Sequence, residues 1–355
     1  MKNPYENIPE RRFWRSGVQS QSVFSIKGLY NKAYEIEPSD KIATAGSCFA
    51  QHISKRLSEA GYNFMDVEKA PTQFPQNKLK EYGFNTYSAR YGNIYTARQL
   101  QELAAECFDP PDQILPLWCK DGRFYDALRP NIEPKGYSSV NELTFHRLHH
   151  LDKLRYLFTE MDVFVFTLGL TEYWECLKSN RALPIAPGVI AGDYDPENYA
   201  FRNQTCSEVI DSFTKFMDTI NSHRDKPCRF ILTVSPVPLI ATAEDGHVLL
   251  STTYSKSVLR AAAGELTKKY SNIDYFPSYE IITAPCFRGI FYDVDQRNIV
   301  SQGVDTVMRV FFQEHPPLDT ISSSKASAGN KGKAINDGID EDPMCEEALL
   351  EGFAR

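Results

Sequence analysis

Asp162–Gly169, DVFVFTLG, is an unbroken apolar run of strand length, closed by glycine. A strand with no polar alternation has to be covered on both faces, as a central strand is in a parallel sheet flanked by helices. Arg229–Ser235 (RFILTVS) reads the same way, and Lys41–Ala45 and Ile273–Phe276 are shorter runs of the same kind. Amphipathic helical patterns separate them. One runs from Ser138 to about Thr159, capped by Ser138 or Ser139 with Glu142, and others cover Ser207–Ser222 and Tyr254–Tyr270. A last one runs from a Ser301 cap to near Glu314. The alternation predicts an α/β fold with a doubly wound parallel sheet.

Sites in such folds form beyond the C-terminal ends of the strands. Here those ends carry Gly46-Ser47-Cys48, Gly169-Leu170-Thr171-Glu172 and Ser235-Pro236. The first is the most suggestive. Lys41–Ala45 stops at Gly46, and a helix follows whose apolar stripe is Phe49, Ile53, Leu57 and Ala60. Strand, glycine, small nucleophile-type residue, helix is the geometry of a nucleophile elbow. A thiol at a helix N-terminus has its thiolate favoured, so Cys48 is the candidate nucleophile; the alternative is an ordinary buried cysteine. Tyr87–Thr96 enters a further helix with Thr96 as N-cap and Gln99 at the capping-box position. Within it Gly92-Asn93 either holds an oxyanion or is a plain turn. His146, His149 and His150 have a spacing that suits a metal, but no third ligand accompanies them, so they read as surface or packing residues and no metal is expected.

Composition excludes several classes. A net charge of −7 and a pI near 5.6 announce no nucleic-acid face. No apolar run is long enough to span a bilayer, and the N-terminus lacks a signal-peptide core. Eight widely spaced cysteines without a CxxC motif read as reduced thiols, which points to a cytoplasmic protein. Residues 1–40 form an arm on a domain spanning 41–315. Within the domain, Tyr62–Asp66 is a possible second strand, 118–136 is irregular, and 175–204 is an excursion of hairpins and turns. Residues 316–339 are a low-complexity linker, and 340–355 an acidic tail. That tail is either disordered or a short helix docking on the domain or on a protein partner.

Gly46-Ser47-Cys48-Phe49-Ala50 is the signature of the GSCFA family, which the chain resembles over about residues 20–315. YGNIYTARQL at 91–100, FTLGLTEYW at 166–174, SPVP at 235–238, YSKSVLR at 254–260 and YFPSYEI at 275–281 look like that family's blocks in order. The resemblance implies a flavodoxin-like three-layer α/β/α fold related to the SGNH (GDSL) hydrolases, which cleave or transfer acyl esters. Carried over by position, Gly46 ends the strand and Cys48 takes the nucleophile's place, with Ser47 the alternative if the register shifts by one. Thr171, beyond Gly169, would supply an oxyanion-hole hydroxyl, and Gly92 or Asn93 the second-block donor. Glu172 is either an orienting carboxylate or a structural hydrogen-bond acceptor. The Asp-x-x-His that carries the base in those relatives reads Asp295-Gln296-Arg297-Asn298 here. Asparagine is no base near neutral pH, which leaves three outcomes: His247, on the loop Ala241–Thr253, supplies the imidazole, the cysteine works with a weaker base, or the domain only binds a ligand.

These readings converge on an acyl ester hydrolase or acyltransferase acting on an acylated glycan or polysaccharide precursor. It would need no cofactor, beyond an acyl donor such as acetyl-CoA if it is a transferase. The alternatives are a sugar- or acyl-carrier-binding domain without turnover and, from the tail alone, a partner-recruiting adaptor.

Overall fold

A computed structural model of the chain describes residues 3–110, 115–317 and 345–354. Its centre is a parallel sheet of β1 (Ile42–Gly46), β4 (Val163–Leu168), β8 (Arg229–Val234) and β9 (Ile273–Tyr275), in that spatial order. The register runs Ile42 to Val163 to Arg229, so the strands end together at Gly46, Leu168 and Val234. Outside β1 the stretch expected as a strand at Tyr62–Asp66 is reduced to one parallel bridge, Ile42 to Phe64. The chain leaves the sheet at once, Val67 donating instead to the Ser88 carbonyl at 2.9 Å. Counting that bridge, the order is 2-1-3-4-5, the flavodoxin-like one, whose topological switch point lies between β1 and β4.

Alternating residues of the strands face two helical layers, which explains the all-apolar runs. Ala43, Ala45, Phe164, Phe166, Phe230 and Leu232 pack against α2 (Ala97–Phe108), α3 (Val140–Glu160), α4 (Cys206–Asn221) and α5 (Val248–Lys269). Ile42, Val163, Val165 and Ile231 pack on α1 (Phe49–Glu59), α6 (Ser278–Thr283) and α7 (Ser301–Glu314). Thr96 caps α2 in a reciprocal box with Gln99, and Ser139 caps α3. α5 starts six residues before Tyr254, and α7 is capped by Val300 with Ser301 as its first residue.

The region 118–136 is more regular than its sequence reading. It holds the hairpin β2 (Leu117–Lys120) and β3 (Arg123–Asp126), turned by Asp121 and Gly122, both at positive φ. The excursion after β4 is a separate antiparallel sheet, β6 (Arg181–Leu183), β5 (Glu172–Cys176) and β7 (Tyr199–Asn203). A buried ionic network ties these additions to the core. Arg147 of α3 bonds Glu106 of α2 and Asp126 of β3, Arg129 bonds Asp126, and Arg181 of β6 bonds Glu106. His150 is buried with Nδ1 2.6 Å from Glu68, His146 packs by Tyr137, and His149 is exposed.

The N-terminal arm lies on the β9 edge, where the Tyr30 hydroxyl donates to Asp274 at 2.7 Å and its ring packs on Phe276 and Phe311. No helix among the described residues is long and apolar enough to cross a membrane. The expected linker falls, after Pro317, outside the described residues. Beyond it, Glu346–Phe353 forms 3-10 turns seated at the C-terminal edge of the sheet.

Candidate functional site

Gly46 turns the chain out of β1 at φ +146, and a Cβ there would lie 2.5 Å from the Thr167 carbonyl oxygen. No other residue lets β1 and β4 approach so closely at the elbow. Ser47 and Cys48 follow, Cys48 being the N-cap residue of α1. Their side chains diverge. Ser47 packs against Gly169, where an added Cβ would stand 2.7 Å from its own, and its buried hydroxyl has no hydrogen-bond partner among the described residues. Cys48 faces a polar cluster beyond the strand ends.

The loop 87–95 is clamped over the switch point. The Ile94 N–H donates to the Gly46 carbonyl at 2.9 Å, and the Gly169 and Leu170 N–H groups both donate to the Tyr95 carbonyl. This fixes Asn93. Its Oδ1 accepts from the Tyr87 hydroxyl and from Gln51 Nε2, which orients the amide with Nδ2 outward. Tyr87 also donates to the Ser47 carbonyl, so amide and elbow are held by one side chain. Asn93 Nδ2 donates to the Tyr95 hydroxyl at 3.3 Å. Asn93 and Tyr95 together donate to one oxygen, Oε2 of Glu346 in the C-terminal segment, Tyr95 at 2.7 Å. Gly92, at φ +71, leaves room beside the same carboxylate.

The opposite side is cationic. Lys256, on α5, is buried and donates to the Gly169 carbonyl at 2.7 Å. Arg297 Nη2 lies 3.1 Å from Glu347 and 3.7 Å from the Cys345 sulfur, which is also 3.6 Å from the Tyr95 hydroxyl. Burial pushes Lys256 down to about 8, against the nearby Glu347 carboxylate. Burial pushes Glu347 up, and Cys345 adds to the rise. The Cys48 thiol hydrogen-bonds Cys345. That bond, with burial, raises Cys48 well above the ordinary thiol range, while the same bond and the Arg297 guanidinium lower Cys345. The pair thus places the proton on Cys48 and the negative charge on Cys345.

The GSCFA family model matches residues 41–311, most of the chain. The chain belongs to the GSCFA family. No curated protein matches this GSCFA chain. Among solved structures it is similar to a Clostridium thermocellum family 3 carbohydrate esterase, with 9% identity, 81% of this chain and 99% of that chain covered, and a TM-score of 0.32.

Of the residues singled out in the GSCFA sequence, the fold brings Gly46, Cys48, Gly92, Asn93 and Gly169 together, with Ser47 turned beneath them. Thr171 is not with them: it is fully buried, its N–H bonds Ser255, and its hydroxyl has no partner among the described residues. The donors that meet Glu346 come instead from Asn93 and Tyr95. His247 is engaged in a local role. It is exposed, and its Nδ1 accepts the Leu249 N–H to cap α5, work that ties the imidazole to the helix start. Asn298 is exposed too, whereas its neighbour Arg297 reaches inward. Glu172 accepts from Thr242 at 2.8 Å, is raised by burial, and lines a neighbouring cavity of about 150 Å³ with Leu170, Trp174, Phe201 and Leu350.

Lys256, Arg297, Tyr95 and the Cys345–Glu347 segment were missed. Lys256 left a signal, for it falls in register with Leu259, Ala263 and Leu266 on the buried stripe of α5. A lysine on a core face is a functional flag, since burying an ammonium is costly without a use or a partner.

Proposed function

We propose that this GSCFA chain is an acyl ester hydrolase or acyltransferase whose nucleophile is the Cys48 thiol. The observation that carries the reading is the seat of Glu346 Oε2, a carboxylate oxygen received by two oriented, buried donors beside the elbow. Donors so aimed suit the oxygen of a tetrahedral acyl intermediate, and being pre-oriented they need no rearrangement as its charge develops. Glu346 then stands where the acyl oxygen of a substrate would lie.

In this mechanism the neutral amine of Lys256 takes the Cys48 proton, a task suited to a lysine brought down to about 8. The sulfur adds to the acyl carbon and the carbonyl electron pair moves to the oxygen held by Asn93 and Tyr95. Collapse forms a thioester and expels the alkoxide, which recovers the proton from Lys256. Water or an acceptor hydroxyl then attacks the thioester and releases Cys48. Arg297 holds an anionic portion of the ligand, as it now holds Glu347. The adjoining cavity, walled by Trp174 and Phe201, supports a glycan as the alcohol portion, because aromatic faces cover the apolar face of a sugar ring.

Incubation with an acetyl ester should leave one acetyl group on Cys48, visible in the intact mass. Cys48→Ala should abolish it and Ser47→Ala should not. Turnover of acetylated sugars and of p-nitrophenyl acetate that survives Cys48→Ala would refute the assignment. The exposed Asn298, where the hydrolases it resembles carry their histidine, favours a second reading: a binding domain for the same anionic ligand without turnover. Saturable sugar binding with no acyl-enzyme would select it.

A further inference from the structure

Cys345 is the one residue of the C-terminal segment whose reactive atom meets that of the elbow. Its sulfur is within hydrogen-bonding contact of the Cys48 thiol, and both are among the cysteines free of disulfides. One donor is aimed at it, Arg297 Nη2 at 3.7 Å, while the Tyr95 hydroxyl, whose proton goes to Glu346, lies 3.6 Å away and the Glu347 carboxylate 3.9 Å away. A guanidinium beside a sulfur favours its thiolate, the form that reacts with peroxide. The segment is anchored independently on either side of the site, Glu346 on Asn93 and Tyr95 and Glu347 on Arg297, so the two sulfurs stay together while it is docked. Cys48 is only 5% exposed, whereas Cys345 is half-buried.

We propose that Cys345 and Cys48 form a reversible disulfide under peroxide, locking the C-terminal segment into the site. The Cys345 thiolate attacks one peroxide oxygen and the O–O bond breaks. This leaves a sulfenic acid on Cys345 and a hydroxide that takes up a proton as water. The Cys48 sulfur then attacks the sulfenic sulfur, the S–O bond breaks, and the departing hydroxide takes the Cys48 proton. Two thiols lose two electrons and two protons, and one peroxide becomes two waters. A small-molecule dithiol reverses the bond by exchange. The chemistry stands without the acyl-transfer reading; only its consequence, a nucleophile spent and covered, rests on that reading.

The test oxidises the full chain with hydrogen peroxide, blocks remaining thiols with iodoacetamide and maps the peptides by mass. A Cys48–Cys345 cross-link is expected, released by dithiothreitol, absent from Cys345→Ser and absent when the chain is oxidised in urea. Its absence from the folded wild type, with Cys345 recovered as a higher oxide or alkylated, would overturn the proposal, as would equal yield from the urea-unfolded chain. Ester turnover of the reduced chain, followed in parallel, separates the two readings. Turnover without the cross-link sinks the disulfide alone, and the cross-link without turnover upholds it while sinking the acyl-transfer reading.

Discussion

Replacing Glu346 with alanine should expose Cys48 without touching the domain. The carboxylate accepts from the Tyr95 hydroxyl at 2.7 Å and from Asn93 Nδ2, and it is the only side-chain link between the segment and the Asn93 loop among the described contacts besides the longer Tyr95–Cys345 one. A hydrogen bond to a charged group is worth about 1.5–3 kcal/mol, and the two here share one oxygen and are partly replaced by water on opening. A net loss of about 2–3 kcal/mol in docking follows, which at about 1.4 kcal/mol per tenfold raises the withdrawn fraction roughly 30- to 140-fold. Iodoacetamide reaches Cys48 only in that fraction, so its alkylation rate reads the opening equilibrium directly. Peptide mass mapping over time gives this rate, with the exposed Cys119 as an internal standard. Glu346→Gln, which keeps one acceptor, should fall between the two. Unchanged Cys48 alkylation in Glu346→Ala, with Cys119 constant, would refute the idea that this segment gates the elbow.

Other expectations concern chemistry and stability. If Lys256 is the base, its neutral fraction grows with pH, so thioester formation should rise through about pH 8. In Lys256→Met the rise should move upward by a unit or more; a superimposable profile would exclude that role. Gly46→Ala sets a Cβ 2.5 Å from the Thr167 oxygen at φ +146 and should cost about 3 kcal/mol or more, measured by urea denaturation. Arg147→Met leaves Glu106 with Arg181 and Asp126 with Arg129 as their remaining partners, so a loss of about 3 kcal/mol is expected in the same assay. Thr96→Ala removes the reciprocal cap of α2, a loss of about 1 kcal/mol; no change would mean that the loop geometry alone starts the helix.

The strands, helices and elbow were legible because their signals are local. β4 and β8 announce themselves by apolar runs, and α2 by a threonine and a glutamine three residues apart. The β2–β3 hairpin was legible too and was passed over, since Asp121-Gly122 between two short runs is the turn that such hairpins favour. His247 has a use that is local too. A histidine in a loop near a strand end has the right chemistry and approximate place, yet the start of α5 at Val248 makes it a cap.

By itself the sequence determines the parallel α/β sheet, the turn at Gly46-Ser47-Cys48 and the convergence of three strand ends, because side-chain period and glycine geometry act over a few residues. Only the tertiary structure decides what meets Cys48 there. Lys256 and Arg297 come to it from α5 and from the stretch before α7, and Cys345, Glu346 and Glu347 from the end of the chain, Glu346 lying 253 residues from its partner Asn93. Contacts at such separation leave no period in the sequence. They exist because a buried cationic pocket and two oriented donors match the charges of an acidic segment, a complementarity between surfaces that form only when the chain has folded.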